Sequence, residues 1–295
     1  MGLERIRALP CWRGAIRAEP LRGGLSNESW KVVDEAGAHV VRFGADFPFH
    51  HVSRAGEVMA ARAAHRAGFA PEVEYAGPGV MVSRFIEART WGAADLAADP
   101  ERIGRFLRDF HGAMPGEVSG PGAIFWVFHV IRDYARTLAA QGGRFSPDLA
   151  RFRALAGEME AAQVPLPIVF GHHDLLPANF LEDGAGRLWL IDYEYAGFGT
   201  AMFDLAGVAA NAGMGRAGAR ALVEAYLGAA PDAGMLRALA AMRCAALLRE
   251  AMWAMVSEIF LAAPGADYDA HARDYLGRLD VELEEYRTTY GKIMT

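Results

Sequence analysis

The prevailing spacing of apolar residues changes character along this chain near residue 88. Before that point apolar residues come in short runs broken by turns that contain Gly and Pro. After it they recur three and four residues apart. Short alternating runs belong to strands, and three–four spacing belongs to helices. The chain therefore reads as α+β with two lobes. A small β-rich lobe spans residues 1–88 and a larger, mainly helical lobe spans 89–295, with a connector near 84–90.

Within the first lobe, "LRGGLSNESWKVVDEAGAHVVRFG" gives two apolar runs around an Asp-Glu-Ala-Gly turn, the pattern of a hairpin. A helix follows, with Ser53 as its N-cap and Gly68 and Pro71 as its stop. "VEYAGPGVMVSRFIEA" then predicts two strands around Gly-Pro-Gly. In the second lobe, "DPERIGRFLRDFHGAM", "FHVIRDYARTLAAQ" and "DLARFRALAGEMEAAQ" predict helices, and further helices are expected over 201–213, 216–228, 232–262 and 267–289. Residues 113–123, rich in Gly and Pro, read as a loop, and 167–191 as a short β interlude.

The formal net charge is −6, so nucleic acid is not an expected partner. Almost every basic residue is arginine; Lys31 and Lys292 are the only lysines. Cys11 and Cys244 lie far apart without metal-type spacing, which fits a reducing, cytoplasmic setting. "MGLERIRALPCWRG" lacks an apolar run of signal-peptide length, and the longest greasy stretch is broken by Arg243, Arg249, Glu250 and Glu258. No membrane insertion is expected.

Polar chemistry concentrates in "GHHDLLPANFLEDGAGRLWLIDYEYAGFG", residues 171–199. Asn179 follows Asp174 by five residues, and Asp192 lies eighteen beyond Asp174. The intervening "NFLEDGAGRLWLID" reads as strand, turn, strand, which returns Asp192 close to Asn179. Three oxygen-bearing side chains then converge at one end of a hairpin. Such oxygens suit Mg²⁺, which takes one or two carboxylates and completes its shell with phosphates and water. The remaining carboxylate, Asp174, is left to accept a proton from an attacking hydroxyl. Far upstream, Gly23, Gly24, Ser26 and Asn27 lie between predicted strands, where exposed N–H groups and a hydroxyl would donate to phosphate oxygens. There is no Gly-Lys-Ser/Thr P-loop.

"HHDLLPANF" followed by "IDYEYAGFG" and Phe203-Asp204 resembles the catalytic loop and metal motif of the choline/ethanolamine kinase and aminoglycoside phosphotransferase superfamily, which has a protein-kinase-like fold. "LRGGLSNESWKV" resembles that superfamily's nucleotide loop. The resemblance covers about residues 20–260. It implies ATP and Mg²⁺ as cofactors, Asp174 as catalytic base, and Asn179 and Asp192 as metal ligands. Glu194 falls in the Asp-x-Glu pattern on the metal or substrate side. His172 and Asp204 fall at positions that brace the loop. Where a protein kinase carries a lysine on its third strand, this chain offers Arg42, expected to clamp phosphates with Glu57 behind it. The backbone near Arg84–Ile86 takes the place of the adenine-binding connector.

For the acceptor, the resemblance points to a small cationic alcohol, choline foremost, with thiamine, ethanolamine or an aminoglycoside as alternatives and a catalytically silent nucleotide-binding module as another. A quaternary ammonium requires aromatic faces and a carboxylate. "LLREAMWAMVSEIF" offers Glu250 and Trp253 on one helix, with Glu258 two turns beyond Glu250. The position of a choline-facing Glu in eukaryotic choline kinases is taken here by Asn211. A homodimer is compatible with this reading.

Overall fold

The computed structural model describes residues 2–21, 28–142, 144–261, 263 and 265–291. The first lobe is an antiparallel sheet in the order β1 (Arg17–Pro20), β2 (Glu28–Asp34), β3 (Gly37–Phe43), β5 (Val80–Arg84), β4 (Val73–Gly77). The Asp-Glu-Ala-Gly turn forms because the Asp34 carboxylate accepts from the amides of Ala36 and Gly37, at 2.7 and 3.1 Å. Successive residues of a strand face opposite ways. On β3, Val41 and Phe43 therefore enter a small core with Val32, Val82 and Ile6, while Arg42 faces the other side. Ile6 comes from α1 (Gly2–Arg7), an element that the apolar pattern did not announce.

Helix α2 (Arg54–Arg66) crosses the side that Arg42 faces. Its N-cap is Ser53, whose hydroxyl accepts from the Gly56 amide. The connector leaves β5, and β6 (Ala88–Thr90) then pairs with β8 (Phe180–Asp183) of the second lobe.

In the second lobe, α3 (Ala93–Ala98), α4 (Pro100–Glu117), α5 (Val127–Gln141) and α6 (Leu149–Ala161) are followed by β7 (Ile168–Gly171), β8 and β9 (Leu188–Leu190). Then come β10 (Gly197–Thr200), α7 (Ala201–Asn211), α8 (Arg216–Leu227), α9 (Ala233–Phe260) and α10 (Tyr268–Tyr290). Helix α9 is the lobe's central element, packed against α5, α6, α7 and α10. Its apolar residues are buried nearly all round, as a central helix requires.

Two local expectations need correction. Residues 113–117 are helical, not loop: α4 runs through Pro115 to Glu117. Pro115 forfeits one backbone bond two residues before the helix end, and buried Met114 anchors that last turn, its carbonyl accepting from the Val118 amide. The β content also extends beyond 191, because β10 pairs with β7.

A short 3-10 turn, Pro48–His50, ties the lobes together. Buried His50 bonds Tyr134 Oη through Nδ1 at 3.1 Å and Ser257 Oγ through Nε2 at 3.0 Å. Burial, reinforced by the charge of Arg249, pushes its pKa from 6.5 down to about 3. A folded value below the unfolded one means that stability is fully present above pH 6.5 and is lost as pH falls from 6.5 toward 3. The loss approaches roughly 5 kcal/mol at the acid end. We expect the stability gap between the wild type and His50→Gln, measured by denaturant unfolding, to shrink between pH 7.5 and about 4.5. A constant gap would show that His50 does not titrate differently on folding.

Candidate active site

The hairpin β8–β9 sets the site. Phe180 pairs with Leu190, and the Ile191 amide donates to Asn179 O at 3.1 Å, so Asn179 and Asp192 lie side by side. The loop before β8 folds back on itself. Asn179 Nδ2 donates to the Asp174 carbonyl at 2.8 Å and to its Oδ2 at 3.4 Å. His172 accepts from the Asp174 amide through Nδ1 at 3.3 Å and donates through Nε2 to Ile191 O at 3.0 Å, joining loop to hairpin. The expected bracing role of His172 thus has a definite geometry.

Asp204, at the start of α7, holds the loop from below. Its carboxylate accepts from the backbone amides of His172 and His173 at 2.8 and 2.7 Å and from His111 Nε2 at 2.8 Å. Burial alone would raise its pKa. The His111 hydrogen bond and the neighbouring histidines outweigh burial and hold the carboxyl below its ordinary range. Gly171 is required by close approach, because a Cβ there would lie 2.5 Å from His173 Nε2 and 2.9 Å from Asp204 Oδ2.

Arg42 reaches out of the first lobe into this region. Its Nη2 lies 2.8 Å from Glu57, 2.7 Å from Asp192 and 3.2 Å from Glu194. Arg54 completes the cluster, 2.6 Å from Glu57 and 3.0 Å from Glu194. Burial would lower the Arg42 pKa, but the charges of Asp192, Glu57 and Glu194 more than offset it, and the guanidinium stays charged. Glu194 is thus placed among the arginines.

On the other side of Asp174 stands a wall from α9. Trp253 Nε1 donates to Tyr195 Oη at 2.9 Å, and Trp253 lies near Tyr268 and His271, with ring centres 6.1 and 5.9 Å away. Glu250 is ion-paired with Arg249 and lies 4.0 Å from His271 Nε2. Burial raises the Asp174 pKa well above the ordinary carboxylate value; Arg249 opposes the shift, and Glu250 and Asp192 add to it. A raised value suits a group that takes up a proton.

The donor set fits a hard cation completed by substrate oxygens. With its amide nitrogen engaged by Asp174, Asn179 has Oδ1 left to face a cation. Asp192 is the most open carboxylate of the cluster, its side chain 28% exposed against 3% for Glu57. Among the described residues, no three His, Cys, Asp or Glu side chains form a cage of their own.

The remaining expected residues divide. Gly23, Gly24, Ser26 and Asn27 lie outside the described residues. Asn211 donates from its Nδ2 to Leu175 O at 3.3 Å, next to the Asp174 loop. Glu258 is on the surface, paired with Arg144. In the connector, the amides of Arg84 and Phe85 donate to Glu72 O and Ala38 O, so of the three residues expected at adenine, these two have their N–H groups committed to the backbone. Lys31 sits over the Phe85 ring, 3.9 Å from its centre.

Sequence reasoning did not single out Arg54, His111, Tyr195 or Arg249 as site residues. Arg54 carried a signal, since a cation at a helix N-terminus opposes the helix dipole and requires an acidic partner. Arg249 carried one too, as a charge in the middle of an otherwise greasy helix.

A two-lobed fold with a loop carboxylate, Asp174, beside an Asn–Asp pair, and a strand arginine reaching Asp192 of that pair, has the protein-kinase-like architecture. The comparisons place it more closely. The model of the phosphotransferase enzyme family (APH) matches residues 17–243, and the chain belongs to that family. A probable ethanolamine kinase of Arabidopsis thaliana is 28% identical over 213 residues, covering 63% of this chain; this chain spans 54% of that relative's length. Among solved structures, a choline/ethanolamine kinase family protein from Mesorhizobium loti superposes with a TM-score of 0.75 at 28% identity, covering 96% of this chain and 95% of that one. The choline kinase LicA from Streptococcus pneumoniae has the same fold, with a TM-score of 0.75 at 19% identity and coverage of 96% and 97%.

Proposed function

We propose that this protein transfers the γ-phosphoryl group of ATP to the hydroxyl of a small alcohol, with choline the leading acceptor. The observation that carries the reading is the placement of Asp174. Its largely buried carboxylate lies between the Asn179 amide and Arg249 of α9, with Asp192, the partner of Arg42, close by.

In this scheme Asp174 orients the acceptor hydroxyl and takes its proton. The alkoxide oxygen forms a bond to the γ-phosphorus while the bond to the β–γ bridging oxygen breaks, giving a phosphate ester and ADP. Arg42, backed by Glu57, positions the nucleotide phosphates, together with the loop of Gly23, Gly24, Ser26 and Asn27. Asn179 and Asp192 would hold Mg²⁺, which when bound supplies neutralisation of phosphate charge. Tyr195, Trp253 and Glu250 form the acceptor side, aromatic faces and a carboxylate as an ammonium group requires. Asn211 belongs to the support of the Asp174 loop in this reading. Two free cysteines, and no helix among the described residues long and apolar enough to cross a membrane, support a cytoplasmic setting.

The test is ADP formation by the purified protein with Mg²⁺ and ATP across choline, ethanolamine, thiamine and kanamycin. We expect the highest kcat/KM with choline. A preference for another acceptor would retain the phosphotransferase and discard choline. ATP binding with no acceptor turned over would favour a silent nucleotide-binding module.

A further inference from the structure

The wall that would receive an acceptor's cation already holds one. Arg249, in the middle of α9, is 2% exposed. Its guanidinium carbon lies 4.3 Å from the centre of the Tyr195 ring. Its Nη1 is ion-paired with Glu250 and lies 3.9 Å from Asp174 Oδ1. The Tyr195 ring is itself fixed by the bond from Trp253. An aromatic face and two carboxylates are what a small organic cation seeks. Here a side chain of the protein takes all three contacts.

The fit of that side chain is incomplete. Nε and Nη2 of Arg249 are buried without a hydrogen-bond partner among the described residues. Buried polar groups are nearly always paired, and an orphaned donor on a charged group is costly. The arrangement is therefore one that a better-matched occupant can replace. Two positive charges cannot share one seat in a water-poor site without strong repulsion. An incoming ammonium and the guanidinium must exchange.

We propose that Arg249 is the specificity-determining residue of the acceptor site: its guanidinium holds the seat of the acceptor's cation, and a cationic alcohol binds only by displacing it. This rests on the acceptor lying between Asp174 and the Tyr195–Trp253 wall. Arg249 lowers affinity for any alcohol that must fill that seat, and more for one with a fixed positive charge, which also meets the guanidinium's repulsion, than for an uncharged alcohol of the same shape. A purely structural Arg249, present only to balance Glu250 and Asp174, would act on both alike.

The experiment is calorimetric binding of choline and of its uncharged isostere, 3,3-dimethylbutan-1-ol, to the whole protein saturated with Mg²⁺ and a non-hydrolysable ATP analogue. Arg249→Gln removes the charge and keeps donors. Arg249→Met keeps the stem that packs on α9 and serves as the second variant if the first does not fold. Arg249→Lys retains the charge. Loss of the guanidinium should tighten choline binding by about tenfold or more, and by at least about threefold more than it tightens the isostere, with Arg249→Lys close to wild type. Choline binding that is unchanged, weaker or absent after loss of the charge overturns the proposal, as does an equal change in both alcohols. Binding does not depend on turnover. If the kinase reading fails, ADP formation is absent while the choline–isostere contrast persists.

Discussion

Replacing Asp174 with alanine should lower turnover by about a hundredfold to ten-thousandfold, the range that a positioned general base contributes. ATP affinity should change little, since among the described residues the Asp174 side chain meets Asn179 and Arg249 rather than Arg42 or Arg54. The comparison to make is kcat from ADP release against ATP affinity from calorimetry, on the wild type and on Asp174→Ala and Asp174→Asn. Asparagine keeps the shape and the capacity to accept from Asn179 but cannot take a proton at neutral pH. The two variants should therefore fail equally in kcat. An asparagine variant close to wild type would mean that Asp174 only orients the acceptor. A large loss of ATP affinity in both would mean that the loop had collapsed.

The second large effect lies one layer below. Asp204→Ala should destabilise the fold by about 3–5 kcal/mol, because it orphans three buried donors and leaves His111 without its carboxylate. Denaturant unfolding at pH 7 measures this directly. Asp204→Asn keeps one acceptor oxygen and should fall between the alanine variant and wild type. Activity should drop in both variants under conditions where each is still folded, since the amides of His172 and His173 set the path of the chain into Asp174. A loss below about 1 kcal/mol for alanine, in the range of an ordinary exposed pair, would show that other contacts hold the loop.

These two residues differ in how far the sequence alone revealed them. The convergence of Asp174, Asn179 and Asp192 was legible because it is local: one hairpin brings them together, and its turn residues are visible. Most of the longer helices of the second lobe were legible locally too, from their apolar spacing and length, whereas short α3 was not. The partners of Arg42 were only half legible. Glu57 lies one helix away, whereas Asp192 lies 150 positions along and meets Arg42 only when the lobes close on each other. The acceptor wall was the least legible part. Trp253 and Glu250 declared themselves, but Tyr195, Tyr268 and His271 come from other elements, and no spacing rule links them to α9. Arg249 looked like an interruption of a greasy helix; only packing makes it a neighbour of Asp174.

Asp192 carries one more consequence through its backbone. It sits at φ +69°, a left-handed conformation that residues with a Cβ seldom adopt. Asp and Asn tolerate it better than other side chains, and glycine tolerates it freely. Position 192 therefore filters substitutions twice, once by main-chain shape and once by charge. An alanine there would confound the two, since any defect would mix local misfolding with a missing carboxylate. Asparagine passes the first filter and fails the second, and glycine does the same without a side chain to place. Drift at this position thus has a narrow alphabet even where catalysis is no longer under selection, and an intact aspartate is a weaker sign of activity than an intact Asp174.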